Sequence, residues 1–172
     1  MKIKSKLRLG FGFLFVMVLL FGGFSGFYLK QISEHSKVIL KDNYESLRFT
    51  REMRTVLDNQ ELPLSKDAIS SFDVQLKKQE ANITEAGEAE ITRNIRKDFE
   101  IIKSSILSNE QLAKYQRSLR HQLRNVEQLN MDAIVRKNDQ AQQSVKKASI
   151  YMSLIGSFII IILFSFSVNF PG

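Results

Sequence analysis

Apolar positions in this chain follow two patterns. Residues 9–29 and 148–170 form runs without a single charge, whereas between them apolar side chains return mainly at spacings of three and four among polar ones. A helix of about 20 residues rises about 30 Å, the thickness of a bilayer's hydrocarbon core, so each run predicts a membrane-spanning helix. Spacings of three and four place side chains on one face of a helix, so residues 30–147 predict helices and not strands.

Four stripes can be traced in that middle segment. The first carries Ile32, Ile39, Leu40, Leu47, Met53 and Leu57, the second Ile69, Phe72, Leu76 and Ile83. The third holds Ile91, Ile95, Phe99, Ile102 and Ile106, and the fourth Leu112, Tyr115, Leu119, Leu123, Val126, Leu129 and Ala133, then more sparsely Ala141 and Val145. Short connections between consecutive helices make neighbours antiparallel. The predicted fold is therefore all-α, a four-helix up-down-up-down bundle continuous with two transmembrane helices.

Three breaks separate the stripes. Pro63 disfavours helix in the residue before it, and Ser65 is placed to cap the second helix. Ser108 and Gln111 have the spacing of a capping box at the start of the fourth helix. Between the second and third stripes, either Gly87 ends the second helix or Thr84 caps the third. Helix rise favours a turn near residues 82–84, because the summed heights of the four helices then agree within about 3 Å. That arrangement leaves the first and fourth helices alone as a stalk of about 20 Å.

Charge sets the expected orientation. Lys2, Lys4, Lys6 and Arg8 precede the first span, and the positive-inside rule then holds both termini in the cytoplasm and exports the middle. Removing those four from 25 basic residues leaves 21 against 18 acidic, a balance of +3 in the middle segment. That is an ordinary solvated surface, so the net +7 gives no reason to expect nucleic acid. The expected layout is a basic cytoplasmic stub at 1–8, spans at 9–29 and 148–170, a periplasmic domain at 30–147, and the start of a cytoplasmic linker at 171–172. The location implied is the inner membrane, in contact with lipid. A cleaved signal peptide is the alternative for the first run, with Gly23, Phe24 and Ser25 before the cut, but the uncharged sequence continues past the usual h-region of about 7 to 15 residues.

The inventory for catalysis is thin. There is no cysteine, and the two histidines, His35 and His121, lie far apart without metal-ligand spacing. Neither an enzyme nor a cofactor is expected. Arg48, Arg51 and Arg54 on the first helix and Arg117, Arg120 and Arg124 on the fourth lie at nearly matching heights and could turn guanidinium forks toward a carboxylate or phosphate. The bland reading is a solvated face with local pairs such as Arg48 with Glu52. Ser36, Asn43 and Thr50 recur every seven residues within the first stripe, a pattern that sets register or marks an interface that shifts. In the spans, Gly22 and Gly26, like Ser153 and Ser157, form small-residue pairs that allow close helix approach, across a dimer or between the two spans.

The segments Leu40-Lys41-Asp42-Asn43-Tyr44-Glu45-Ser46, Asn82-Ile83-Thr84-Glu85-Ala86-Gly87-Glu88, Leu129-Asn130-Met131-Asp132-Ala133-Ile134 and Asn169-Phe170-Pro171-Gly172 resemble the amino-terminal input region of bacterial membrane sensor histidine kinases. None is a catalytic motif. The resemblance implies a four-helix sensor between two spans, a homodimer, an unknown small ligand or protein signal, and a cytoplasmic output domain after Gly172. In that family the output follows a HAMP linker and belongs to a two-component system. Chemoreceptors share the same plan, and a stand-alone membrane interaction protein is a further alternative.

Overall fold

The computed structural model describes the backbone of residues 3–60, 63–104 and 108–169, and their side chains apart from 3–7, 9, 31, 34–40, 166, 167 and 169. The described residues are all-helical. α1 is Ile3–Asn59, α2 Lys66–Glu80, α3 Glu88–Lys103 and α4 Asn109–Asn169. They divide into two compact units: unit 1 comprises Met1–Ser36 and Asp139–Gly172, and unit 2 comprises Lys37–Asn138. α1 and α4 each supply residues to both units as uninterrupted helices.

In unit 2 all four helices contribute to one core. Phe49, Met53 and Leu57 come from α1, and Ala68, Phe72 and Leu76 from α2. Ile95, Phe99 and Ile102 come from α3, and Leu112, Leu119, Leu123 and Val126 from α4. Steps of three and four between these positions give each helix a single inward stripe. Phe72 and Phe99 stack with centroids 4.5 Å apart at 23°. Leu47, Ile69, Ile91, Tyr115 and Leu129 are half-buried, so these stripe positions lie at the margin of the core.

The stripes need some correction. Ile83 is in a turn and exposed, and Val145 is exposed on α4. Phe49, absent from the predicted stripe, is buried, because the inward face of α1 is Asn43, Ser46, Thr50, Met53 and Leu57, with Phe49 beside it. Ile39, Leu40 and Ile106 lie outside the described side chains, as do Ser36, Lys2, Lys4, Lys6, and the segment 170–172.

Helix ends follow local chemistry. Ser65 caps α2 by accepting from the Ala68 amide at 3.2 Å. At the start of α4 the capping box closes both ways: the Ser108 amide donates to Gln111 Oε1 at 3.0 Å, and the Gln111 amide donates to Ser108 Oγ at 3.3 Å. The α2–α3 turn differs from the expected Thr84 cap. α2 does stop early, at Glu80, but the residue before α3 is Gly87 at φ +87°, a left-handed conformation that glycine adopts without strain. No side chain caps α3; the Glu88 carboxylate instead holds the preceding turn against the helix, accepting from the Thr84 amide at 2.8 Å and the Glu85 amide at 3.0 Å.

Unit 1 contains the two apolar stretches. Both helices are long and apolar enough to cross a membrane, one stretch being Gly10–Lys30 and the other lying in the later part of α4. They are almost wholly uncovered within the chain, unlike the core helix of a water-soluble protein. Leu14, Ala148 and Ile159 are buried, while Phe11, Phe15, Phe24, Phe27, Phe158 and Phe164 are exposed. Apolar surface of this extent is suited to lipid or to a partner helix.

The stacked rings of unit 2 give a direct check on its core. Phe99→Ala is expected to lower stability by about 3 to 5 kcal/mol and Leu76→Ala by about 2 to 5 kcal/mol, from lost burial and the cavity left behind. Chemical denaturation of the full chain in detergent, followed by far-UV dichroism, measures both. Wild-type midpoints would mean that these side chains are not core.

Candidate functional site

At one end of unit 2 the inward stripes change composition without changing spacing. Positions that would continue the apolar core are occupied by Asn43 and Ser46 on α1, Gln79 on α2, Glu88 and Thr92 on α3, and Asn130 on α4, all buried. A buried polar group without a partner is destabilising, and most of this layer is satisfied internally, with Gln79 Oε1 and Thr92 Oγ1 the members' atoms left without a partner among the described residues.

Glu88 is the centre of that layer. Its Oε1 accepts from Ser46 Oγ at 3.0 Å, Gln79 Nε2 at 2.8 Å and Asn130 Nδ2 at 2.8 Å. Its Oε2 takes the two turn amides of Thr84 and Glu85. One fully buried carboxylate thus binds α1, α2, α4 and the α2–α3 turn, and every contact uses it as an acceptor. Asn82 extends the network by donating to the Asp42 carbonyl at 2.7 Å and to Ser46 Oγ at 3.0 Å.

A second, less buried layer adjoins the first. Asn43 donates to Asn130 Oδ1 at 2.9 Å and to Glu85 Oε1 at 3.0 Å, joining α1 to α4 and to the turn. Lys137 Nζ donates to Asn43 Oδ1 at 3.0 Å and forms an ion pair with Glu85. Arg136 pairs with the other Glu85 oxygen at 2.8 Å. Burial pushes the Glu85 pKa up, but hydrogen bonds from Lys137 and Asn43 and the charges of Lys137 and Arg136 outweigh it and leave the carboxyl below its ordinary value of 4.5. On the far faces of α2 and α3, hydrogen bonds from Lys77 and Arg96 likewise hold Asp73 below 3.8.

Three of the four segments singled out in the sequence converge here. Asn43 and Ser46 belong to the first, Asn82, Glu85 and Glu88 to the second, and Asn130 to the third. Of the predicted heptad of polar residues, Asn43 enters the network, while Thr50 is buried and donates to the Ser46 carbonyl at 2.8 Å, a local helix bond. The stripes omitted Ser46, Gln79, Glu88 and Asn130 because these residues are polar, although their three- and four-residue offsets from core positions marked them as inward-facing.

The six arginines do not converge. Arg51, Arg54 and Arg124 line one groove together with Glu127, and Arg54 Nη1 pairs with Glu127 Oε2 across the α1–α4 seam at 2.7 Å. Arg120 is engaged elsewhere, with Asp58 at 2.9 Å and the Leu57 carbonyl at 2.6 Å. Arg48 pairs with Glu45, not with Glu52, and its guanidinium lies over the Phe49 ring, 5.1 Å from the centroid. Arg117 lies apart, beside Glu110, Gln111 and Lys114. Helix rotation explains the separation, since residues spaced by three drift around the axis and only some meet a given neighbour.

Gly22, Gly26, Ser153 and Ser157 are exposed. A side-chain carbon added at Gly22 or Gly26 would meet nothing within 4 Å, so within one chain this face is not packed against the second span. Among the described residues no group of three or more His, Asp or Glu is placed to hold a metal ion. His121 is exposed and shares a 3.3 Å contact with Asn125.

The polar layers make two expectations. Glu88→Gln, nearly isosteric, replaces one acceptor oxygen with a donor nitrogen where at least two N–H groups point, and is expected to destabilise by about 1 to 3 kcal/mol. Glu88→Ala should cost more, and a wild-type denaturation midpoint for both would show that the network contributes nothing. Because Glu85 and Asp73 have lowered pKa values when folded, the unfolded chain binds more protons as pH falls. Their stabilisation is therefore full above their ordinary values and lost as pH drops through the folded ones. Melting temperature should fall between pH 6 and pH 3, and Glu85→Gln should flatten part of that slope.

No known family, curated protein or solved structure matches the chain.

Proposed function

We propose that this chain is the input module of a bacterial membrane receptor, with a four-helix up-down-up-down sensor between two transmembrane helices. The observation that carries this reading is the dual character of α1 and α4. Each has a bare apolar stretch in unit 1, continues as the same helix into unit 2, and is there joined to the other through Asn43 and Asn130. A ligand or stress that shifts one of these helices against the other by about 1 to 2 Å displaces a span by a similar amount.

Residue placement supports the orientation. The basic cluster Lys2, Lys4, Lys6 and Arg8 before the first span resists export, and Tyr28 and Tyr151, near the ends of the two spans that adjoin the middle segment, are suited to the opposite interface. In this reading unit 2 is periplasmic, both termini are cytoplasmic, and the partner is a second copy of the chain contacted through Gly22 and Gly26. The displacement is delivered to a cytoplasmic output, a histidine kinase of a two-component system. The chain itself performs no catalytic step.

Two experiments test this. A phosphatase reporter active only outside the cytoplasm should work when inserted after Gln60 or Ser108 and stay silent after Gly172. Activity after Gly172 would remove the two-span topology. For the homodimer, single cysteines introduced along residues 15–29 should crosslink most strongly on the face of Gly22 and Gly26, and Gly22→Leu should reduce the yield without preventing insertion. Crosslinking uniform around the helix, or unaffected by Gly22→Leu, would mean that these glycines face lipid.

A further inference from the structure

One groove on the α1–α4 seam of unit 2 carries more positive charge than its own carboxylate neutralises. Its walls are Leu47, Arg51 and Arg54 of α1 and Arg124, Glu127 and Met131 of α4, around a space of about 360 Å³. That volume lies at the small end of ligand pockets, which span roughly 300 to 1,000 Å³. Glu127 is spent on Arg54, at 2.7 Å. Arg51 and Arg124 are exposed, and among the described residues neither has an ion-pair partner. Three guanidinium groups therefore share one carboxylate, while Leu47 and Met131 add apolar wall.

The geometry points to a binding site for a small oxyanion, phosphate or carboxylate, that bridges Arg51 and Arg124 and competes with Glu127 for Arg54. Guanidinium groups present paired donors that match both carboxylate and phosphate oxygens. Competition for Arg54 gives the ligand leverage. Arg54–Glu127 ties α1 to α4, so an anion that takes Arg54 replaces one cross-helix contact with another of different geometry. The ligand would thereby bias the offset between the two helices that the receptor reading makes the carriers of the signal. This inference rests on that reading for its consequence and on the groove alone for binding.

Isothermal titration of the full chain in detergent micelles tests the site, with inorganic phosphate and succinate titrated separately at ionic strength held constant with chloride. Saturable binding of at least one is expected, and the tighter anion identifies the ligand class. Arg51→Gln and Arg124→Gln should each weaken binding about tenfold, the loss of a single charge-assisted contact. Glu127→Gln should tighten it by releasing Arg54, and Arg117→Gln, outside the groove, should leave it unchanged. Heat no greater than a chloride control for both anions, or an equal loss in Arg117→Gln, would overturn the proposal. Micelles impose no sidedness, so binding succeeds or fails independently of the reporter result on topology.

Discussion

Five hydrogen bonds to the buried carboxylate of Glu88 determine how this molecule is put together. The group occupies a position that the periodicity of α3 assigns to the core, and it can stay there only while Ser46, Gln79, Asn130 and the amides of Thr84 and Glu85 remain in place. A carboxylate offers about four lone-pair sites, so five donors saturate it. The demand acts in both directions. Helices α1, α2 and α4 must be positioned to supply the donors, and the α2–α3 turn must fold back over its own first helical residue, which the left-handed backbone of Gly87 permits. Hydrogen bonds have narrow distance and angle limits, so this layer selects one axial register where apolar contacts alone would tolerate several.

The rest of unit 2 is arranged in keeping with that constraint. Away from the polar layer the stripes become apolar, and the stacked Phe72 and Phe99 with Met53, Leu57, Leu119 and Leu123 provide burial energy without directional demands. Stability and specificity are thus divided along the helices. The apolar part supplies much of the free energy, and the polar part specifies which arrangement receives it. The surface network around Arg96, which reaches Asp73, Glu80 and Glu100, adds a further link between α2 and α3, and it raises the Arg96 pKa through its hydrogen bonds to Glu80 and Asp73.

The helices were legible in the sequence because their signals are local. Period, Pro63, Ser65 and the Ser108–Gln111 box each act within a turn or two, and the helix ends obey them. The site was less legible because its signal is relational. Reading buried positions as apolar positions passes over Ser46, Gln79, Glu88 and Asn130, which meet one another across gaps of 9 to 42 residues. Asn43 was flagged by its seven-residue recurrence with Thr50, but its partners were not predictable from α1 alone. Thr84 is a reasonable cap by residue type, yet α3 starts later, after the left-handed Gly87, and the Thr84 amide itself is taken up by the Glu88 carboxylate. The arginines show the opposite failure, since matching heights along two helices bring side chains together only where the faces also match.

The location of the polar layers bears on the proposed relay. Asn43 and Lys137 lie within a few residues of the limits of unit 2 along α1 and α4, so the bonds that join these two helices sit where each passes toward its apolar stretch. Apolar side chains yield gradually to a small slide, whereas a hydrogen bond is lost over a fraction of an ångström beyond its optimum. A displacement of about 1 to 2 Å would therefore exchange one set of bonds for another, giving discrete states. The direct α1–α4 bonds there are Asn43 to Asn130 and Lys137 to Asn43. At a net of about 0.5 to 1.5 kcal/mol each, their loss costs about 1 to 3 kcal/mol. A ligand covers that difference by binding one state about 5 to 150 times more tightly than the other, a ratio a few charge-assisted contacts can supply. On the proposed reading, the same pair of bonds would hold one register and still be weak enough for a bound ligand to shift it.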